Sequence, residues 1–474
     1  MAIEWTGSGP DLLVKLDRSG DETLGAQLQN QLREAIRAGR LAAGERLPSS
    51  RMLARELDVS RGLVVDTYAQ LEAEGYLDSR AGSATRVATR AVPAVPPAPA
   101  GEVRRRPTVD FDYGVPDLAG FPMKDWLWAL GEAAKSAPFA ALGNDEHRGM
   151  GELREVVAAY LRRVRGADVD ADNVVICSGF AQGLGVVAAA LKRLGIDTVA
   201  AEDPRSLDTD ASIERIGSTV VSVPVDGRGI DVERLAATSA RAVVVTPAHQ
   251  APTGVLLAPE RRKELIAWAI ERDAFVIEDD YDAEFRYDRQ PVGAMQGLSP
   301  CQVVAIGSVS KSLAPGLRLG WIVCPAELTP VIAREKEIAD RGSPALDQLA
   351  LAHMIRSGRY DRHLRRMRTV YAARREALVA ALAEHAPCVR VSGLAAGFHA
   401  VLDLAEGADE RAIVAAALER SVGVQAMSRW RSSGATVPPQ LVIGFGNVTE
   451  SAIGRGIETI ADLLTSAPGS PAAA

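Results

Sequence analysis

The sequence predicts an α/β protein with a small helical module in front of it. Three observations carry this. From Val174 onward, short apolar runs alternate with helical stretches, the pattern of a mostly parallel sheet layered with helices. Between Thr23 and Ala88, three amphipathic helical segments precede two short extended runs. Between these parts, residues 89–108 carry Pro93, Pro96, Pro97, Pro99 and Pro107 among alanine and valine, a semi-rigid, polyproline-like spacer. At 474 residues the chain exceeds one ordinary core. The expected division is a module at 1–88, a linker at 89–108 and a main body at 109–465. The body would comprise a large part to about 335 and a smaller α+β part from 336. A Ser/Pro/Ala tail at 466–474 is expected to be disordered.

Apolar residues make up 47% and charged residues 24%, an ordinary globular mixture. The net charge of −7 means that any nucleic-acid contact must come from local charge. No run approaches eighteen apolar residues, so no membrane span is expected. The N-terminus, with Glu4 and Asp11, lacks a charged-then-apolar leader pattern. Cys177, Cys301, Cys324 and Cys388 are scattered, with neither metal nor disulfide spacing. They are expected as buried free thiols in a cytoplasmic protein that binds no metal.

In the front module, Leu24, Leu28, Leu32 and Ile36 form a stripe at four-residue spacing, and Gly39 suits the C-cap. Ser49 can cap a second helix holding Met52, Leu53 and Leu57, and Ser60 a third with Leu63, Val64, Tyr68 and Leu71 inward. Strands at 76–80 and 85–88 would flank a tip at Ala81, Gly82 and Ser83. This order is that of a winged helix-turn-helix. Arg51 and Arg61 begin the second and third helices, where recognition helices meet bases and free amides meet phosphate. Gly82 would let the tip approach a backbone. Charge alone favours a protein-interaction module with solvated arginines, because residues 31–86 hold about as many acids as bases. The pattern favours DNA. The run 44–51, with Val59-Ser60-Arg61 and 71–77, resembles the signature of GntR-type regulators. That resemblance implies DNA contact at Arg51, Ser60, Arg61 and Gly82.

In the main body, runs at 174–177, 242–245, 274–277 and 303–306 read as buried strands, and 259–272 as a helix. Ligands in such sheets sit beyond the strand carboxyl ends. Lys311 follows the last run in a loop of small residues, with Ser308, Ser310 and Arg318 nearby. A desolvated lysine there can form a Schiff base with an aldehyde, and a hydroxyl with a guanidinium suits phosphate. An isolated lysine of this kind is usually a solvated one. The loop Ser178-Gly179-Phe180-Ala181-Gln182-Gly183 opens a helix, a phosphate cradle by geometry but weak evidence alone. Asp279 and Tyr281 follow another strand and could equally be a solvated acidic loop; His249 lies in a proline turn, where a lone histidine is usually structural. From 328 to 386 the chain is helical and rich in arginine, including Arg359, Arg362, Arg365, Arg366 and Arg368. Strands at 397–402 and 441–445 close the smaller part.

The loop at 307–321 resembles the lysine loop of fold-type I pyridoxal-phosphate (PLP) aminotransferases, and 276–287 is similar to a second segment of that family. Joined to a GntR-like module, the chain resembles the MocR subfamily of transcription regulators over nearly its whole length. This implies pyridoxal 5′-phosphate on Lys311 as a Schiff base. It implies cofactor contacts from Gly179, Phe180, Gln182, His249, Asp279, Tyr281, Ser308, Ser310 and Arg318. It also implies a homodimer on promoter DNA, with PLP or an amino compound as small-molecule effector. The chain departs from the family where two arginines would hold a substrate carboxylate. Those positions read Asp208 and Val442, and Ser206 replaces a stacking tyrosine. Arg205, Arg429 and Arg431 are the candidates to substitute. The losses make PLP itself the expected effector and disfavour the alternative reading, a working aminotransferase with an accessory DNA-binding domain. A structural adaptor without cofactor is disfavoured by the intact lysine loop.

Overall fold

The computed structural model describes residues 14–79, 84–88, 107–143, 147–282, 284–287, 293–432 and 438–465. They fall into two compact units, up to Arg104 and from Arg105 on. Most of the 89–108 spacer, the 466–474 tail and the wing tip with Gly82 lie outside the described residues.

The first unit has helices Leu24–Arg37, Ser50–Glu56 and Arg61–Ala73, then strands Leu77–Asp78 and Arg86–Val87 paired antiparallel. Leu28, Leu32, Ile36, Leu53, Val64 and Leu71 form one buried cluster, the stripe that four-residue spacing predicts. Ser49 Oγ accepts from Met52 N at 3.3 Å and Ser60 Oγ from Leu63 N at 3.2 Å, so both serines cap as expected. Both strands are shorter than the sequence suggests.

The second unit is built on an eight-stranded sheet. In spatial order its strands are Val174–Cys177, Gly320–Val323, Val303–Ser308, Phe275–Asp280, Ala242–Val245, Thr198–Asp203, Thr219–Asp226 and Gly229–Ile230. The five from Val303–Ser308 to Thr219–Asp226 run parallel. Neighbours on one strand enter different cores. Val276 and Val303 pack with Leu265 and Trp268 of helix Pro259–Glu271. Ile277 and Val304 pack with Leu184 and Val187 of helix Phe180–Arg193. Burial on both faces is why these strands read as unbroken apolar runs. A four-stranded sheet contains His399–Asp403 and Gln440–Gly444.

The helical region from 328 to 386 is three helices, Thr329–Asp340, Ala345–Arg356 and Arg359–His385. Arg341 and Gly342 at the first break and Gly358 at the second have positive φ. Cys177 and Cys324 are buried, but Cys301 and Cys388 are exposed. Apolar sequence neighbours are a poor guide to thiol burial at the ends of elements. Among the described residues no helix is long and apolar enough to cross a membrane.

Candidate functional site

Strand register brings the sequence-separated loops together. Val303–Ser308 lies parallel to Phe275–Asp280 with Ile306 opposite Asp279, so the lysine loop and Asp279 leave the same sheet edge. Gly320–Val323 lies between Val303–Ser308 and Val174–Cys177, with Gly320 opposite both Ser308 and Cys177. Arg318 is thereby delivered beside the Ser178–Gly179 turn. Its guanidinium donates to Ser178 O. Gly179 has φ 85° and ψ 179°, and a Cβ there would lie 3.2 Å from Arg318 Nη1. Arg318 itself holds a left-handed backbone at φ 52°, strain of the kind that gathers at binding sites. Helix Phe180–Arg193 starts at Gly179 with no side-chain cap, which leaves first-turn amides for an anion.

These elements surround a cavity of about 580 Å³, within the range of small-molecule sites. Its lining includes Phe180, Asp279, Tyr281, Ser308, Ser310, Lys311 and Arg318. Lys311 Nζ donates to Gly114 O at 2.6 Å. Burial holds its pKa below the ordinary lysine value, against the opposing pull of Asp279. The Asp279 carboxyl has no hydrogen bond among the described residues. Burial and the adjacent Asp280 push its pKa well up. Asp280 is no solvated acid either: its two oxygens take Arg165 Nε at 2.7 Å and Nη2 at 2.8 Å. Tyr281 Oη lies 3.4 Å from Tyr113 Oη and 3.2 Å from His249 Nδ1.

Three sequence candidates, Gly179, Gln182 and His249, are not among the lining residues, and the latter two are held in hydrogen-bond sets behind it. Gln182 accepts from Ser178 N at 2.6 Å and donates to Asp340 at 2.6 Å. Asp340 in turn takes the fully buried Lys336 at 2.6 Å. Gln182 therefore fixes the loop that would cradle an anion. His249 pairs with Asp282 at 2.8 Å, both buried, and supports Tyr281 from behind. Burial lowers its pKa, but Asp282 outweighs this and the net shift is upward. Burial and His249 push the neighbouring His399 well down. His249, Asp282 and His399 place three donor atoms within 4.8 Å of one another, and these residues also take part in hydrogen bonds between His249 and Asp282, to Gly393 O and to Pro252 O.

Sequence reasoning passed over Tyr113, Gly114 and Asp112. They come from the domain-entry segment, and no local signal ties them to a site some 200 residues later. The substitute arginines separate clearly. Arg205 is buried and bidentate to Asp210 at 2.6 and 2.7 Å. Arg431 donates to Gln440 at 2.8 Å and sits 3.6 Å from Glu410. Arg429 lines the cavity, is exposed, and has no hydrogen bond or ion pair among the described residues.

In the first unit, Arg51 and Arg61 are exposed in the opening turns of their helices, without an ion pair among the described residues. Ser60 is exposed and its hydroxyl is occupied as the cap of the third helix.

Comparison with known proteins decides the family. Residues 107–460 match the model for aminotransferase class I and II, and residues 24–87 that for bacterial regulatory proteins of the gntR family. The chain is 33% identical over 472 residues to the probable rhizopine catabolism regulatory protein MocR of Rhizobium meliloti, covering 94% of this chain and 95% of that one. The chain belongs to the MocR-like regulators of the GntR family. Another member, the pyridoxine biosynthesis transcriptional regulator PdxR of Corynebacterium glutamicum, is 30% identical, covering 96% of this chain and 99% of that one. Among solved structures, a kynurenine aminotransferase of Pyrococcus horikoshii in complex with PMP superposes with a TM-score of 0.69 at 26% identity, over 75% of this chain and 90% of that one. An archaeal alanine:glyoxylate aminotransferase gives 0.68 at 25% identity, with the same coverage.

This MocR-like chain is thus a DNA-binding transcriptional regulator with an aminotransferase-like unit, and the cofactor of that unit is PLP. The residues fit the group. Asp279, whose carboxyl has no hydrogen-bond partner among the described residues, faces the cavity that Lys311 lines and could meet a pyridine nitrogen, and the Gly179 turn leaves room beside Arg318 that a Cβ would fill.

Proposed function

We propose that this regulator is a cytoplasmic homodimer whose promoter affinity is set by what occupies the Lys311 cavity, PLP itself or an amino compound joining it. Lys311 would hold PLP covalently, its lowered pKa keeping more of the amine neutral and nucleophilic. Arg318, Ser308, Ser310 and the amides after Gly179 would take the phosphate, with Gln182 fixing their loop. Asp279 would hold the ring nitrogen, and Tyr281 would be oriented by His249. Bound PLP supplies an aldehyde carbon open to amines and a ring that withdraws electrons. In the DNA unit, Arg51 and Arg61 would contact the duplex, with Ser60 and Gly82 beside its backbone.

The observation that carries this reading is Asp279, without a hydrogen-bond partner among the described residues, facing the same cavity as Lys311, in a chain that also presents Arg51 and Arg61 without an ion pair among those residues. An effector alters DNA affinity only if it favours one of two global states. The test is fluorescence anisotropy on the protein's own upstream DNA during a PLP titration, with Lys311→Ala as control. A PLP-dependent shift in affinity that the variant lacks is expected. DNA binding that ignores both PLP and amino compounds would remove the sensing role, and no binding at low salt would favour an aminotransferase.

A further inference from the structure

Three buried side chains behind the cavity come from three separate elements. His249 lies in the loop after strand Ala242–Val245, Asp282 follows strand Phe275–Asp280, and His399 opens strand His399–Asp403 of the smaller sheet. No sequence spacing links them, yet each offers a donor atom within 4.8 Å of the other two. Each is only 2% exposed.

The hydrogen bonds decide which ring atoms remain. His249 Nε2 lies 3.2 Å from Gly393 O, and His399 Nε2 lies 3.1 Å from Pro252 O. A carbonyl oxygen only accepts, so each ring donates there through Nε2–H and keeps Nδ1 for a ligand. A backbone carbonyl on the second ring nitrogen is how metal-binding histidines are commonly anchored. His249 Nδ1 in turn faces Asp282 Oδ2 at 2.8 Å and Tyr281 Oη at 3.2 Å. A nitrogen lone pair and a carboxylate at that distance need a positive centre between them, either a second ring proton or a metal ion. The backbone also makes room for the set. Gly397 has φ 66°, and a Cβ there would collide with Asp282 Oδ2 and lie 2.9 Å from His249 Nδ1.

We propose that His249 Nδ1, Asp282 Oδ2 and His399 Nδ1, with Tyr281 Oη as the fourth group, bind a divalent transition ion of the zinc class. Two imidazoles and a carboxylate are zinc ligands, and a fourth oxygen completes the shell. Bonds of about 2.0–2.2 Å set tetrahedral donors roughly 3.4 Å apart, a spacing that small side-chain rotations reach here. Calcium and magnesium are disfavoured because they take six or more ligands, mostly oxygen. Two cations oppose the ion, Arg286 acting on His249 and Lys311 on His399, so the Asp282 charge is essential to the site. Tyr281 lines the cofactor cavity whereas the other three do not. It is therefore the way in, and it makes the ion a second input at the cofactor end. The site itself needs no PLP, so its test and that of the cofactor reading fail separately.

The experiment titrates Zn²⁺ alone into tag-free, full-length protein cleared of metal by a chelator, read by calorimetry, with Co²⁺ as the spectroscopic substitute. Wild type should bind one tight equivalent per chain. Its Co²⁺ form should show the visible bands of a four-coordinate site and no thiolate charge-transfer band. Asp282→Asn and His399→Ala should each weaken Zn²⁺ binding by at least about tenfold, with unfolding midpoints as the fold control. Cys301→Ser with Cys388→Ser removes the exposed thiols and should leave the tight equivalent in place. No tight equivalent in wild type, its loss with the two thiols, a thiolate band, or an affinity unchanged in both site variants overturns the assignment. The Co²⁺ spectrum is read on wild type, so it decides the matter even where a variant fails to fold.

Discussion

Lys311 is a base in a place that disfavours its charge. Burial lowers its pKa while Asp279 pulls the other way. Loading of PLP onto the apoprotein needs the neutral amine, so its rate should rise with pH to a midpoint below the ordinary lysine value of about 10.4. Asp279→Asn removes the opposing charge and should move that midpoint lower still, as stopped-flow absorbance would reveal. Gly179 is constrained in another way, by a backbone that L side chains rarely adopt and by Arg318 at 3.2 Å from any Cβ. Gly179→Ala should weaken PLP binding by at least about tenfold, roughly 1.4 kcal/mol, in a spectroscopic titration.

At the scale of elements, the turn after strand Thr198–Asp203 shows how a departure from the family pattern is absorbed. Arg205 is turned inward and locked to Asp210 of helix Leu207–Glu214. Asp210→Ala leaves that guanidinium buried without its charge partner and should cost about 3 kcal/mol in denaturant unfolding. On the same strand, burial raises the Glu202 carboxyl to about 7 despite hydrogen bonds from Thr246 and Gln250. A raised folded-state value means that its contribution is intact at pH values below the unfolded pKa and is lost as pH rises through about 7. Glu202→Gln should flatten that part of the profile of unfolding midpoint against pH, and an unchanged slope would assign it to another group.

For the whole molecule, a net charge of −7 works against DNA, so binding depends on a few local arginines. Each phosphate contact contributes about 0.9 to the salt slope of the association constant. Arg51→Ala and Arg61→Ala should each flatten the logarithmic plot by about one unit, measured between 50 and 200 mM salt on the order of the usual range. A variant that weakens binding at constant slope would instead mark a base contact.

The sequence by itself determined the element types and the parts of the chain that bear chemistry. Runs such as Val303–Ser308 announce buried strands because both sheet faces are covered, and Ser49 and Ser60 announce helix starts because free amides need a cap. Lys311, Asp279 and Arg318 were legible as a group through spacing and resemblance. Only the tertiary structure decided which side chains line the cavity and which stand behind it. Gln182 and His249 look like ligands in sequence, yet hydrogen bonds to Asp340 and Asp282 hold them a layer back. Arg205, Arg429 and Arg431 look interchangeable in sequence. The fold gives carboxylates to Arg205 and Arg431 and, among the described residues, none to Arg429. The reason is physical: a helix or strand is specified by neighbours a few residues away, whereas the availability of a charge depends on groups brought to it from distant parts of the chain.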